Sequence, residues 1–314
     1  MPTSPETSLQ VAVVGSLSMD LVLRVPRLPA AGETIKGSSF ATFPGGKGNN
    51  QALAAARAGV RTAMVGKVGQ DAYGAILLDT LKENGVVTTG MMQDSREITG
   101  IANIWVGAQG ENSIVIVPNA NNALRSEDLQ NKPVWTAKVL LLQLEIPLET
   151  TVAAAKMGRA AGATTILNPA PAQALPEELL ENIDIIIPNE SEAELLTTIK
   201  PDTRDSALSC AQKLLTMGPK TVIITLGSRG ALILGKGQEQ PHYIDALKVE
   251  VVDTTAAGDA FCGAFAASLS IDNDLQKAAR FGCIAGSLAC TRDGAVPSLP
   301  NRQELLAHFS DLKN

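Results

Sequence analysis

Histidine is nearly missing from these 314 residues: His242 and His308 are the only two. That leaves no multi-histidine metal site and argues against a Ser/His/Asp triad, so carboxylates, amides and backbone groups must carry any chemistry. Aromatic residues make up only 3% of the chain, too few for a base-stacking platform. The formal charge of -6 and pI near 5.1 set the surface against nucleic acid and anionic membranes, so a small-molecule ligand suits it better. Cysteine is sparse. Cys210, Cys262, Cys283 and Cys290 have neither C-x-x-C spacing nor the density of a secreted disulfide scaffold, and read as reduced, buried small hydrophobes. No apolar run approaches the roughly 20 residues of a spanning helix. Residues 1–10 are polar, carry Glu6 and have no apolar centre, unlike a signal peptide or membrane anchor. These absences predict a cytoplasmic protein.

What is present is enough apolar residue, 45%, to bury a sizeable core. Val11-Ala12-Val13-Val14-Gly15 is a short continuous apolar run ending at glycine, the pattern of a strand buried on both faces. Similar runs over 139–144, 164–168, 183–188 and 221–225 alternate with alanine- and leucine-rich helical stretches over 148–161, 191–197 and 206–217. Strands alternating with helices predict an α/β fold: a mostly parallel sheet covered on both faces. Segments 17–43 and 100–118 break the rhythm with β-type patterns and no helices. They predict a small second sheet, inserted as a lid into a single domain spanning 1–314, with no linker or internal repeat dividing the chain.

Four motifs could carry chemistry. Gly45-Gly46-Lys47-Gly48-Asn49-Asn50-Gln51 runs into a strong helix former, Ala52 onward, so a glycine turn opens a helix whose first N–H groups are free and beside which Lys47 and Asn50 can donate to hydroxyls. Lys47 is followed by glycine rather than Ser or Thr, which excludes a phosphate-cradling P-loop; a plain turn and helix cap is the alternative. Val252-Asp253-Thr254-Thr255-Ala256-Ala257-Gly258-Asp259 leads into a helix of small residues through Ser268. Its turn aims N–H groups at the positive end of a helix dipole, fit for the charge of a transferring phosphoryl group, and Asp259 in the first turn can accept a hydroxyl proton. Otherwise Asp259 is only a favourable first-turn acid. Thr225-Leu226-Gly227-Ser228-Arg229-Gly230 follows a strand and lets backbone pass close to a nucleotide, or is a simple turn. Pro188-Asn189-Glu190-Ser191-Glu192 ends another strand, where carboxylates can order the waters of Mg²⁺, or form an acidic helix start capped by Ser191.

The order of these motifs, from Val11 to Pro300, resembles the ribokinase-like (PfkB) carbohydrate kinase family. Asp253 to Asp259 is similar to that family's second signature, which more often has glycine where Ala256 stands. Gly45-Gly46-Lys47-Gly48 with Asn50, Gln143-Leu144-Glu145, Asn168-Pro169-Ala170-Pro171-Ala172 and Gly294-Ala295 through Ser298-Leu299-Pro300 resemble its ribose-phosphorylating members most. The resemblance implies a three-layer α/β/α fold with a β-sheet lid. It further implies a sugar site of Ser18, Asp20, Gly46, Lys47, Asn50, Glu145 and Asp259, and an ATP site of Asn189, Thr225, Gly227, Ser228, Gly230, Gly258 and Cys283. Glu192 would serve Mg²⁺ through water, and Asp253, Thr255, Ala289, Arg292, Gly294 and Ser298 would hold K⁺. Asp259 would be the base and Ala256, Ala257 and Gly258 the anion hole of an ATP-dependent transfer to the 5-hydroxyl of D-ribose. A homodimer joined through the lid is also implied. Serine at position 18, where bacterial family members usually have asparagine, weakens one hydroxyl contact and admits 2-deoxyribose, another pentose or a nucleoside as alternatives. A catalytically silent sugar-binding regulator is the alternative outside enzymes.

Overall fold

A computed structural model describes residues 8–109 and 111–309; the polar stretch 1–7 lies outside them. The first strand, β1 (Val11–Val14), is fully buried. It is followed by β2 (Ser18–Arg24), β3 (Ser39–Gly45) and helix α1 (Lys47–Arg57). Next come β4 (Thr62–Gly69), α2 (Ala72–Glu83), β5 (Val87–Asp94), β6 (Gly100–Val106) and β7 (Asn112–Val117). Strand β8 (Val139–Leu142) then opens a run of crossovers: α3 (Leu148–Ala160), β9 (Thr164–Leu167), α4 (Glu177–Leu180), β10 (Ile185–Ile186), α5 (Glu190–Thr197), α6 (Arg204–Thr216) and β11 (Thr221–Thr225). The chain closes with β12 (Ala231–Gly235), β13 (His242–Ile244), α7 (Ala257–Asp272), α8 (Leu275–Ala289), α9 (Ala295–Ser298) and α10 (Arg302–Ala307).

Nine strands form one sheet in the order β13-β12-β11-β10-β9-β8-β1-β4-β5, parallel from β11 to β5, with β12 and β13 added antiparallel at one edge. Alternation along β1 sends Val11 and Val13 to one face and Ala12 and Val14 to the other, and each pair joins a separate core. The first core is closed by Leu53 of α1, Phe265 of α7 and Ile284 of α8, the second by Ala154 of α3 and Leu214 of α6. Two apolar cores on one sheet explain why its central strands read as continuous apolar runs. The helices start where their sequence supplies a cap: Asp71 accepts from the Gly74 N–H at 2.8 Å, and Thr203 from the Ser206 N–H at 3.1 Å.

A second sheet has the order β3-β2-β6-β7, with β2 and β6 parallel and both outer pairs antiparallel. It stems from the two segments whose β pattern lacked helices. Three sequence expectations need correction. The run 183–188 pairs as a strand only at Ile185–Ile186, after which the chain continues to an isolated bridge between Asn189 and Thr225. Strands β4 and β5 escaped the reading because glycines and charge interrupt them; Lys67 in β4 is carried by an ion pair to Asp128 at 2.7 Å. Cys210, Cys262 and Cys283 are buried free thiols, but Cys290 is half-buried.

Candidate active site

Motifs that lie far apart in the chain converge at the carboxyl ends of the parallel strands, where an α/β sheet leaves its crevice. Gly46 caps α1 with φ +89, and a Cβ there would stand 2.8 Å from the Ser18 nitrogen and 2.9 Å from the Leu17 Cα, so only glycine allows the turn to press against β2. Glu145, after β8, accepts from the Lys47 N–H at 3.0 Å and from the Ser16 hydroxyl. A carboxylate thus faces the first N–H of α1, the favoured place for negative charge at a helix. Helix α7 packs beside α1 and delivers Asp259, only 7% exposed. Its Oδ2 accepts from Asn50 Nδ2 at 3.0 Å and its Oδ1 from Gln51 Nε2 at 2.9 Å.

Five ionisable groups meet here. Burial, with Glu145 and Asp259 nearby, pushes the Asp20 carboxyl up to about 7 against the pull of Lys47. Burial alone would draw the Lys47 ammonium down, but Asp259, Glu145 and Glu192 outweigh it and hold the group above the usual lysine value. Glu192 is raised, chiefly by burial, while hydrogen bonding from Asn189 and the charge of Lys47 oppose the rise. Lys47, Asn168, Asn189, Glu192, Gly258 and Asp259 line one polar cavity. Ser18 stands apart: 95% of it is out of solvent contact, and its Oγ lies 3.4 Å from Asn121 Nδ2, whose amide also bonds the Leu17 backbone.

Beside that cavity runs a groove of about 640 Å³, lined by Asn189, Thr225, Gly227, Ser228, Gly230, Gly258 and Cys283 together. Cavity and groove share Thr254, Ala257 and Gly258, so the turn before α7 is their common wall. Ala256 caps α7 in the left-handed region, φ 60 and ψ 10, and Ala257 N–H closes the turn on the Thr254 carbonyl at 3.2 Å. The next N–H groups belong to the first turn of α7, where the helix supplies no acceptor. Gly258 has no positive φ, and a Cβ built on it meets nothing within 4 Å. Neither backbone nor packing demands glycine there, whereas a ligand bridging cavity and groove would.

The profile of the "pfkB family carbohydrate kinase" matches residues 8–302. The chain belongs to that family. A ribokinase of Haemophilus influenzae is 40% identical over 298 residues, 94% of this chain and 97% of the relative. A deoxyribokinase of Salmonella typhi is 34% identical, covering 96% of this chain and 99% of its own. The Arabidopsis thaliana ribokinase solved with ribose and ATP superimposes with a TM-score of 0.89 at 34% identity, over 96% of this chain and 99% of that one.

Two parts of the site have donor sets that suit cations of different kinds. Glu192 forms a reciprocal cap with Asn189, accepting from its N–H at 2.8 Å and its Nδ2 at 2.9 Å, so Asn189 rather than Ser191 caps α5. Its remaining lone pairs face the cavity and suit the water shell of Mg²⁺. Asp253 accepts from Thr255 N–H at 2.9 Å, Thr255 Oγ1 at 2.7 Å and Gly294 N–H at 3.0 Å, bringing the loop before α7 onto the loop before α9. Burial would raise its carboxyl, but these bonds prevail and hold it low. Ser298 is fully buried, and Arg292 is paired with Glu304, leaving its backbone carbonyl as the group to offer. One carboxylate with hydroxyl and carbonyl oxygens is a hard, weakly charged donor set that suits a monovalent cation. No group of three His, Cys, Asp or Glu able to hold a metal occurs among the described residues. Sequence reasoning gave no role to Gln51, Gln143 or Asn168, nor to Thr254 and the groove's apolar wall at Leu247, Phe261 and Gly286. Gln51, Gln143, Asn168 and Thr254 stand inside motifs read from the sequence, which was the one signal that could have found them.

Proposed function

We propose that the protein transfers the γ-phosphoryl group of ATP to the 5-hydroxyl of D-ribose. One observation carries the reading: the Asp259 carboxylate stands where a polar, sugar-sized cavity meets the groove beyond Gly258. Asp20, Gly46, Lys47, Asn50 and Glu145 bind the sugar hydroxyls. Asn189, Thr225, Gly227, Ser228, Gly230 and Cys283 hold the nucleotide, Cys283 by packing, since burial pushes its thiol up to about 12. Asp259 accepts the proton of the attacking hydroxyl. The N–H groups of Ala256 and Gly258, with Ala257 holding the turn closed, face the charge that spreads over the phosphoryl oxygens. Alignment and electrostatics supply most of the acceleration, because a loose phosphoryl-transfer transition state needs little covalent help. Mg²⁺, ordered through water by Glu192, would neutralise phosphate charge, and K⁺ at Asp253, Thr255, Ala289, Arg292, Gly294 and Ser298 would stiffen the anion turn.

The second sheet acts as a lid and as the contact between two copies. By register, Val22, Ile104 and Ile114 share the face that carries Asp20, Ala102 and Ile116, and Ile114 and Ile116 are 52% and 48% exposed. A second copy on this face would cover apolar surface and close the sugar site together. No helix among the described residues is long and apolar enough to cross a membrane, in keeping with work in the cytoplasm.

A second reading, 2-deoxyribose as substrate, has support from Ser18: its hydroxyl is turned to Asn121 and offers the sugar little. Comparing kcat/KM for ribose, 2-deoxyribose, other pentoses and nucleosides, in potassium and in sodium, separates the readings. Ribose preferred, with a higher rate in potassium, is the expected result; a deoxyribose preference replaces the first reading by the second.

A further inference from the structure

Asp259 is held by a chain of buried side-chain amides. Gln51, fully buried, gives its Nε2 both to Asp259 Oδ1 at 2.9 Å and to Asn168 Oδ1 at 3.1 Å. Its Oε1 accepts from Gln143 Nε2 at 2.6 Å, and Asn168 Nδ2 donates to the Ile187 carbonyl at 3.0 Å. Gln143 follows β8 and Asn168 follows β9, so two adjacent strand ends fix one glutamine of α1. A Cβ at Gly15, at the end of β1, would stand 1.9 Å from Gln143 Oε1; glycine there makes room for the amide. With its oxygen committed to Gln143, Gln51 can turn only N–H toward Asp259. Asn50 supplies the second N–H from the other side. Both oxygens of the carboxylate therefore meet donors, and a protonated carboxyl would find no acceptor in Gln51, whose oxygen is taken by Gln143.

We infer that Gln51, locked by Gln143 and Asn168, is a positioning residue that presents Asp259 as an ionised, oriented base to the attacking hydroxyl. The inference rests on the assignment of Asp259 as base. Amides at both oxygens compete with nothing that changes charge, so the base keeps one orientation while substrate binds and leaves. The titratable groups that interact with Asp259 are Lys47, Asp20, Glu192 and Cys262, with Glu145 beside Lys47 and Asp20, and among them only Lys47 is a cation; neutral amide donors hold the carboxylate without adding charge to this crowded cluster.

The experiment measures ribose-dependent ADP release in wild type, Gln51→Leu, Asp259→Asn and the double variant. Failure of wild type to release ADP with ribose, or full activity in Asp259→Asn, would remove the base assignment itself. With that assignment standing, Gln51→Leu should lose about 10- to 100-fold in kcat, a share of the about 10²- to 10⁴-fold a positioned base contributes, with KM for ATP within about twofold. In the Asp259→Asn background the same change should cost nothing further, because its only route to the rate is through that carboxylate. Additive losses, or near-normal kcat in Gln51→Leu, overturn the inference. Gln51→Glu is the second variant and is read by pH. Its carboxyl donates an O–H to Asp259 when protonated and repels it when ionised, so kcat should fall as pH rises, relative to wild type. A pH profile parallel to wild type overturns the inference as well.

Discussion

Asp20 lies close enough to Glu145, Asp259 and the Lys47 ammonium to feel all three charges, and it is the carboxyl that gives way, lifted to about 7 by burial and its two acidic neighbours. Only the ionised carboxylate can accept from two sugar hydroxyls, so the sign follows directly: as pH falls through about 7, Asp20 gains a proton and the free enzyme loses sugar affinity. We predict that kcat/KM for ribose declines below about pH 7, roughly tenfold per unit at the limit, while kcat at saturating ribose declines less. In Asp20→Asn this acid limb should vanish together with most of the affinity; a limb that persists assigns the titration elsewhere. Legibility at this scale was uneven. Asp259 could be picked out because its turn, glycine and helix are contiguous in sequence. Its supports could not, since Gln51 and Asn168 lie 208 and 91 positions away, and nothing in a single sequence reports that they touch. Ser18 was placed in the sugar site through the family resemblance; in the structure its hydroxyl lies 3.4 Å from Asn121 Nδ2.

At the scale of elements, α7 couples fold and chemistry. Its small residues let it pack closely on α1 and α8, and its N-terminus turns toward the shared wall of cavity and groove. The cap at Ala256 is the weak point, because φ 60 brings an alanine Cβ against the backbone at a cost of about 1–2 kcal/mol. Ala256→Gly should relieve most of it, raising stability by about 1 kcal/mol after the added unfolded-state freedom is counted, with turnover retained since the N–H remains. Thermal melting checks this; a lower melting temperature would mean that the alanine methyl packs usefully. The central strands were legible because both faces are apolar. Strands β4 and β5 were not, since Lys67 and several glycines break the run, and Lys67 is tolerated through the carboxylates of Asp128 and Asp94 and the Ala123 carbonyl. The hairpin β12–β13 was missed for another reason: the alternating rhythm predicts parallel crossovers and gives no warning of an antiparallel edge.

For the whole molecule, the smaller sheet carries Asp20 on the same face as the exposed Ile114 and Ile116, and on the proposed reading that face closes over the sugar. Ile114→Lys should place a charge on that face, at the edge strand β7. On the proposed dimer contact, sedimentation should report dimers for wild type and monomers for the variant, with kcat/KM for ribose reduced more than KM for ATP is raised; an unchanged association state would contradict that contact. The three-layer architecture was readable in advance from the alternation of strands and helices; the motifs at Pro188 and Thr225 follow the parallel strands β10 and β11, whereas the Gly45 motif follows β3 of the smaller sheet and the Asp253 motif comes after the antiparallel β13. The tilt and closure of the smaller sheet depend on side-chain contacts that no local pattern encodes. The central claim is that Asp259 passes a sugar proton during phosphoryl transfer, and ADP release with and without ribose, in wild type and Asp259→Asn, tests it most directly. The account predicts release that requires ribose and falls by about 10²- to 10⁴-fold in the variant, with ATP binding nearly intact. Release that ignores ribose, or a variant that turns over like wild type, would contradict it.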